Sequence, residues 1–165
     1  MSQLKRHQFY HFINIAAKAG ETENPKWARE GKGVEALAVE FNPQTTQFKD
    51  ITSEQADTTF DGYQISSSVS DKRCYTDDPM YEYLYELKKE ATSAETQLVE
   101  VNSAKKVNGA TESAGYDATK YDVMIVINSW LGENAYISYD IYYKNPVQGV
   151  ATIADGTLGT FTESV

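Results

Sequence analysis

Two apolar runs joined by a turn signal set the fold class of this chain. Residues 121–128 (YDVMIVIN) are almost all apolar or β-branched, and residues 135–143 return with an apolar side chain at every second position. Gly132, Glu133 and Asn134 lie between the runs. Because alternation with a period of two places one set of side chains on one face of a strand, the two runs predict an antiparallel β-hairpin with a central strand.

Further strand patterns lie on both sides of this hairpin. We predict loops over residues 18–32 and 103–119, and we expect Asn145-Pro146 to interrupt the chain between two strands. An Asp155-Gly156 turn is expected to join the last two strands. The additional strands are predicted over residues 9–17, 34–41, 62–70, 95–102, 147–154 and 158–163. Short strands with frequent turn signals favour a mainly β fold, an antiparallel β-sandwich or barrel.

One flanking α-helix is predicted over about residues 79–92. Asp78 and Pro79 form a start signal, an acidic N-cap followed by a proline at the first helical position, where its missing N–H costs no hydrogen bond. An apolar stripe then follows at helical spacing. Its members are Met80, Leu84, Leu87 and Ala91.

A long polar segment, residues 42–61, separates two predicted strands. It is rich in threonine, and few apolar side chains interrupt it, among them Phe48 and Phe60. Its length exceeds that of ordinary connections in a compact domain. The segment is therefore either a disordered loop or an extended hairpin that becomes ordered on assembly.

The strand predicted over residues 62–70 (GYQISSSVS) alternates cleanly between two faces. One face carries Tyr63, Ile65, Ser67 and Val69, and the other carries Gln64, Ser66, Ser68 and Ser70. The second face is polar, so we expect it to be in contact with water.

Charge and hydropathy exclude several classes of function. The formal net charge is −9, whereas tight binding of nucleic acid needs clustered Lys and Arg. No apolar stretch approaches the roughly 20 residues that cross a membrane. The N-terminal residues lack the apolar run of a signal peptide, so we expect synthesis and folding in a reducing cytoplasm.

No arrangement of residues indicates catalysis or cofactor binding. His7 and His11 are the only histidines, no acidic or cysteine partner lies near them in sequence, and a zinc site needs three or four ligands. Cys74, the single cysteine, lies among three aspartates that disfavour a thiolate, which indicates a half-buried small residue. Phosphate-binding loops are absent from the sequence. We therefore expect no enzymatic activity, no metal and no cofactor.

Several short motifs, in their order and spacing, resemble the tail tube proteins of long-tailed phages that infect Gram-positive bacteria. Asp78, Pro79, Glu82 and Leu84 match the family's "DPxxEYL"-like helix start, which follows a strand beginning GYQ, here residues 62–64. Lys144-Asn145 before Pro146 and Cys74-Tyr75-Thr76 before the acidic pair depart from the family pattern. Further similar motifs are FNPQTT (41–46), AETQLVEV (94–101) and YKNPVQGVAT (143–152). The resemblance covers about residues 34–152.

The resemblance implies one tail tube domain over residues 1–165, a β-sandwich with a flanking helix. Six copies form a ring, and rings stack into a tube in the virion tail, after synthesis and assembly in the bacterial host cytoplasm. The tube surrounds a tape-measure protein and later conducts DNA. A tail terminator and baseplate or tip proteins are further partners, and no membrane is involved.

The resemblance also assigns roles to segments of the chain. The loop at 42–61, with Asn42, Pro43, Phe48 and Phe60, and the termini, including an N-terminal arm at about 1–8, bridge between rings. The strand with Tyr63, Gln64, Ser66 and Ser68 lines the bore or contacts a neighbour in the ring.

Two other functions compete with this one. The same fold lines the inner tube of contractile tails, phage-tail-like bacteriocins and injection systems, whose cargo can be protein. A β-sandwich carbohydrate-binding or adhesion module would place some of the 12 tyrosines on a sugar-binding face.

Overall fold

The fold is mainly β with one helix on the flank of the sheet. The structure, a computed structural model, describes residues 2–18, 23–107 and 115–164. Within these ranges all strand pairs are antiparallel and the main sheet does not close into a barrel. The predicted mainly β, antiparallel fold with a single flanking helix is confirmed.

The strands of the described residues are numbered in chain order. They are β1 (Phe9–Asn14), β2 (Trp27–Glu30), β3 (Val39–Glu40), β4 (Pro43–Phe48), β5 (Asp57–Tyr63), β6 (Ser66–Arg73), β7 (Ala94–Val107), β8 (Gly115–Leu131), β9 (Tyr136–Ala154) and β10 (Thr157–Glu163). The helix α1 spans Pro79–Glu90, and a 3₁₀ turn at Arg6–Gln8 precedes β1.

The main sheet has the order β2-β1-β7-β8-β9-β6-β3, and β10 pairs with β9 beyond the part of β9 that β6 covers. The strands β8 and β9 form a long hairpin, in which Ile125 lies opposite Ile141 near one end and Ala118 lies opposite Gly149 near the other. The strand β10 also contacts β2, so the two ends of the sheet curve towards each other. The strands β4 and β5 pair with each other as a separate two-stranded sheet.

Two hydrophobic clusters hold the sheet together. The larger lies between α1 and the sheet, with Leu84 and Leu87 of the helix fully buried against Ile125, Tyr139 and Ile141. The smaller lies where β10 approaches β2 and contains Phe12, Val99, Val101, Ala118, Ala151 and Leu158. The two clusters lie on opposite faces of β7, because Leu98 enters the larger and its neighbour Val99 enters the smaller.

The structure corrects two predicted loops. The segment 18–32 contains β2, because Ala28 is buried and pairs with Ile13 of β1; residues 19–22 lie outside the described residues. In the segment 103–119, β7 continues to Val107 and β8 begins at Gly115, while 108–114 lie outside the described residues. Polar composition predicted loops here, but pairing with a neighbouring strand decides the conformation.

Several strand boundaries also differ from the prediction; β1, for example, ends at Asn14 and not at residue 17. The strand expected over 34–41 is reduced to β3, two residues that pair with Ser66 and Ser67. The predicted break at Asn145-Pro146 is absent, because β9 continues through it with a bulge: one residue of β8, Tyr121, faces Asn145 and Pro146. Asn145 adopts a positive φ of 52° there, and its side-chain amide donates to Asp122 Oδ2 at 2.9 Å. A bulge accepts a proline, which has no N–H for the ladder.

Candidate assembly surface

The segment Pro43–Tyr63 forms a projecting hairpin, made of β4, β5 and the turn between them. Every residue of β4 is exposed, and Gly62 is the only residue of β5 that is partly buried. Phe48 is 70% exposed and Ile51 is fully exposed. A two-stranded hairpin without a packed face is at best marginally stable in water. Of the two conformations predicted for residues 42–61, the structure has the extended hairpin, since β4 pairs with β5. The role of this hairpin as a bridge between rings stays a prediction.

The base of the projecting hairpin is fixed to the body by Asn42. This residue has a φ of 43°, and its side-chain amide donates to Gln64 O at 3.0 Å and to Ser66 Oγ at 3.3 Å. The Gln64 N–H in turn donates to Asn42 O at 3.2 Å. Pro43 then starts β4, and its missing N–H costs nothing at the first position of a strand. Because both ends of the hairpin are tied together here, its strands extend from a defined origin.

An aromatic cluster lies beside this base. The ring of Tyr63 packs edge-on against Phe60 at 4.8 Å and against Phe41 at 5.5 Å between centroids. All three rings are about half exposed. Exposed aromatic side chains that form a contiguous patch are typical of protein interfaces. We name Phe41, Phe60 and Tyr63 the aromatic base.

The serine-rich strand is divided between two elements, and Tyr63 lies elsewhere than predicted. Tyr63 belongs to β5 and is exposed, because residues 64 and 65 leave the strand before β6 begins at Ser66. The predicted alternation is seen within β6, where Ser67 and Val69 are buried and Ser68 and Ser70 are exposed. Gln64 is exposed and Ser66 is partly buried. The polar face therefore consists of Ser68 and Ser70, with Gln64 next to the hairpin base.

The helix start has the predicted geometry. The Met80 N–H donates to Asp78 Oδ1 at 3.1 Å, and Pro79 occupies the first helical position. Leu84 is fully buried in the larger core, whereas Glu82 is exposed in the first turn, where a carboxylate interacts favourably with the helix dipole. The helix ends at Glu90, two residues before the predicted end, because Ala91 adopts the left-handed conformation with a φ of 50°.

Sequence reasoning missed a buried cluster of charged side chains next to this cap. Lys72 Nζ lies 2.8 Å from Glu30 Oε1 and 2.8 Å from Asp78 Oδ2, and it donates to Lys32 O at 2.6 Å. The Tyr139 hydroxyl donates to Glu30 Oε2 at 2.5 Å. The side chains of Glu30, Lys72 and Asp78 are buried. The cluster joins β2, β6, β9 and the start of α1.

Burial and pairing shift the protonation of this cluster. Burial raises the pKa of Glu30, and Lys72 opposes this shift only in part. Burial acts to lower the pKa of Lys72, but the Glu30 and Asp78 carboxylates outweigh it and raise that pKa. The lysine therefore stays charged. No local sequence pattern predicts this buried charged cluster, because Glu30 lies in a predicted loop and Lys72 follows a bulge in β6.

A cleft of about 930 Å³ opens beside the charged cluster, and we name it the N-terminal cleft. Its apolar wall includes Phe9, Trp27, Val34, Leu37 and Val39. Charged residues of both signs complete the lining: Arg6, Arg29 and Lys32 with Glu30, Asp77, Asp78 and Glu100. The Arg6 guanidinium donates to the carbonyl oxygens of Val34 and Glu35, which places the predicted N-terminal arm along the edge of the cleft.

His11 lies in the N-terminal cleft opposite Glu100 of β7. Burial, together with Arg6 and Arg29, lowers the pKa of His11 to about 4. The ring is therefore neutral at pH 7, and its Nδ1, 3.8 Å from Glu100 Oε2, forms no ion pair with the carboxylate there. Burial raises the pKa of Glu100. His7 lies in the 3₁₀ turn and is exposed to solvent, whereas His11 is largely buried.

The remaining candidates for chemistry are dispersed. Within residues 2–18, 23–107 and 115–164, no three His, Cys, Asp or Glu side chains are placed to hold a metal ion. Cys74 is partly buried, as predicted, and burial raises the pKa of its thiol. Among the described residues, no helix is long and apolar enough to cross a lipid bilayer.

Comparison with known proteins relates the chain to a solved structure through its fold. No family model matches the sequence, and no curated protein is similar to it. One solved structure with a similar fold is a chain in the six-fold symmetrised cryo-EM structure of the anti-feeding prophage baseplate. The match covers 90% of this chain and 96% of that chain, with a TM-score of 0.50 and 8% sequence identity. At this identity the likeness shows a shared fold.

Proposed function

We propose that this chain is a structural subunit of a phage tail, which assembles with copies of itself into stacked six-membered rings and forms the tube that conducts DNA. The observation that carries the proposal is the projecting hairpin, which exposes Phe48, Ile51, Phe60 and Tyr63 within one short segment. The proposal assigns no catalytic role to the chain.

The energetics of the projecting hairpin favour a partner of the same kind. Burying a large apolar side chain such as Phe48 or Ile51 contributes about 1.5–3 kcal/mol each. A hairpin also has unpaired strand edges, which are a liability in a lone subunit and a contact surface in an assembly. Interfaces between identical copies supply both the apolar surface and the hydrogen bonds in every repeat.

The fold comparison supports a role in a tail. A chain with this fold is present in a prophage baseplate whose structure is six-fold symmetrised. A six-membered ring of the present chain would have the same symmetry and could dock on such a baseplate. In this role the partners are other copies, a tape-measure protein, a tail terminator and baseplate or tip proteins, in the virion tail.

The acidic composition suits a conduit for DNA. The chain has a formal net charge of −9. Negative charge facing a bore repels a polyanion, so that DNA passes without being bound. The exposed hydroxyl groups of Ser68 and Ser70 provide a polar surface of the kind that such a bore needs.

A second candidate is the inner tube of a contractile tail, a phage-tail-like bacteriocin or an injection system. The similar fold of a chain in the anti-feeding prophage baseplate supports this second candidate, because a baseplate is part of a tail-like particle. The two candidates predict the same subunit contacts and differ in cargo. Co-purification of DNA or of protein with isolated tubes separates them.

The test of self-assembly is a pair of hairpin variants. Phe48→Ser with Ile51→Ser removes the apolar tip, while Phe48→Leu with Ile51→Val keeps it. Sedimentation velocity and electron microscopy over a range of concentrations should show assemblies for the unmodified chain and the Leu/Val variant, and lone subunits for the serine variant. Equal assembly of the serine variant would contradict the proposal.

A further inference from the structure

We propose that the side chains of Lys72 and Asp78 become joined by an amide bond after the chain has folded. Lys72 Nζ is the nucleophile, Asp78 Cγ is the carbon that it attacks, and Glu30 carries the protons. The reaction is a single condensation within the chain, and it releases one water molecule. This covalent modification is a property of the subunit itself and does not depend on the proposed function.

The fold holds the three reacting groups together in its interior. Lys72 Nζ lies 2.8 Å from Glu30 Oε1 and 2.8 Å from Asp78 Oδ2, and all three side chains are buried. Because the bond from Oδ2 to Cγ is about 1.2 Å long, Nζ lies no more than about 4 Å from the carbon that it attacks. Well-oriented groups at such distances react as if each were present at about 10⁵–10⁸ M. The fold therefore supplies the proximity that an amine and a carboxyl group lack in solution.

Hydrogen bonding distinguishes the two carboxyl groups that contact Lys72. Glu30 accepts hydrogen bonds at both oxygens, from Lys72 at Oε1 and from Tyr139 at Oε2. Asp78 Oδ1 accepts the Met80 N–H, whereas the buried Oδ2 accepts no hydrogen bond from the described residues, although Lys72 Nζ is close to it. Donors stabilise a carboxylate and make its carbon less reactive, and a buried oxygen without a donor is destabilised. Asp78 is therefore the group that condenses, and Glu30 is the group that persists.

The start of α1 favours attack at Asp78 in two ways. Negative charge develops on Oδ1 as the new bond forms, and this oxygen accepts the Met80 N–H at 3.1 Å. A backbone N–H that is already aimed at a developing oxyanion stabilises the transition state. Pro79 follows Asp78 and has no N–H, so the aspartate cannot cyclise onto the next backbone nitrogen. In the product, Oδ1 becomes the oxygen of the new amide and retains its hydrogen bond at the N-cap.

The protons of the Lys72 ammonium group complete the reaction. At rest Lys72 is charged, and the reaction begins when Glu30 accepts one proton along the 2.8 Å hydrogen bond. Burial raises the pKa of Glu30, so this transfer costs less than it would in water. Of the three ammonium protons, one stays on the amide nitrogen and two leave with Oδ2 as water, while Glu30 returns to its carboxylate form. Glu30 and Asp78 line the N-terminal cleft, which gives the released water a route to solvent.

Mass spectrometry of the full chain, unfolded after prolonged incubation in the folded state, tests the bond. The unmodified chain should be lighter than its sequence by one water molecule, and its digest should contain a branched peptide that joins Lys72 to Asp78. Lys72→Arg should keep the full mass, because a guanidinium group is not a nucleophile. Glu30→Gln should form the bond at least about tenfold more slowly, because the proton carrier is lost. The matched control is Lys89→Arg at an exposed lysine, which should lose the water as the unmodified chain does.

A folded, unmodified chain that keeps its full mass throughout would overturn the inference, and this result needs no variant to fold. Loss of water without a branched peptide would also overturn it, because an aspartate before a glycine, such as Asp155, loses water by cyclising onto the next nitrogen. An unchanged rate in Glu30→Gln, with circular dichroism showing a folded chain, would contradict the proton transfer through Glu30. Each of these results leaves the proposed function intact, since none of them measures assembly.

Discussion

Lys72 and Glu30 form a buried ion pair, with 2.8 Å between Nζ and Oε1 and neither side chain exposed. The same ammonium group reaches Asp78, the N-cap of α1. One cation therefore holds the end of β2, the strand β6 and the start of the helix in a fixed arrangement. The N-terminal cleft is built on this arrangement, since Glu30, Lys32 and Asp78 line it.

Removal of the Lys72 cation should strongly destabilise the fold. Lys72→Met leaves the carboxylates of Glu30 and Asp78 buried without their partner, which costs about 3–5 kcal/mol. Urea unfolding followed by circular dichroism measures the loss. Lys89→Met removes an exposed pair with Glu86 and should cost less than about 1 kcal/mol. Similar losses for the two variants would show that the buried cluster contributes little.

The cap and the ion pair of Asp78 can be separated by two substitutions. Asp78→Asn retains a side-chain oxygen for the Met80 N–H, while Asp78→Ala removes both the acceptor and the charge. We expect the alanine variant to be less stable than the asparagine variant by about 1 kcal/mol, the usual contribution of an N-cap. Equal free energies of unfolding would mean that the cap bond is not stabilising.

Acid should destabilise the protein through His11. Its pKa falls from 6.5 in the unfolded chain to about 4 in the fold, so the unfolded chain binds the proton more readily. The stabilisation is complete above pH 6.5 and is lost as the pH falls towards 4. A shift of this size corresponds to about 3 kcal/mol.

The measurement for His11 is the free energy of unfolding from pH 7 to pH 4, compared with His11→Asn. Other groups titrate in both proteins and cancel in the difference. The unmodified chain should lose about 3 kcal/mol more than the variant over this range. If the free energy of unfolding falls equally in the two proteins over this range, the His11 imidazole is not buried in its neutral form.

Gly33 should not tolerate a side chain. Its φ is +77°, and a Cβ built there would lie 2.2 Å from the carbonyl oxygen of Arg73, whose own N–H donates to Gly33 O at 3.0 Å. Gly33→Ala should therefore cost about 1–3 kcal/mol. Gly132→Ala, where the nearest atom is 3.4 Å from the built Cβ, should change stability by less than about 0.5 kcal/mol. Thermal unfolding of both variants measures the two losses of stability, and a loss for Gly33→Ala as small as that for Gly132→Ala would contradict the prediction.

The parts of the fold that local chemistry controls could be predicted from the sequence. The Asp78-Pro79 start of α1 and the Asp155-Gly156 turn depend on residues adjacent in the chain, and both residues of that turn have positive φ in the structure, as expected. The alternation of apolar and polar residues in the central hairpin likewise predicts which of its side chains lie in the core. The sequence also indicated that residues 42–61 are either a disordered loop or an extended hairpin.

The parts that depend on distant partners could not be predicted. Trp27 and Ala28 form a strand because β1 and the smaller core are beside them, although their neighbours in sequence are typical of a loop. Lys72 is buried because Glu30, 42 residues away, pairs with it. The N-terminal cleft combines side chains from the N-terminal turn, β1, β2, β3 and the helix start, and no spacing in the sequence brings them together.

Electron microscopy of the purified protein tests the central claim most directly. The sample is concentrated protein, with and without the tip complex of its own particle as a nucleus. The account predicts six-membered rings and rods with a central channel, which disappear in the Phe48→Ser, Ile51→Ser variant. Lone subunits at every concentration, with the nucleus present, would contradict it.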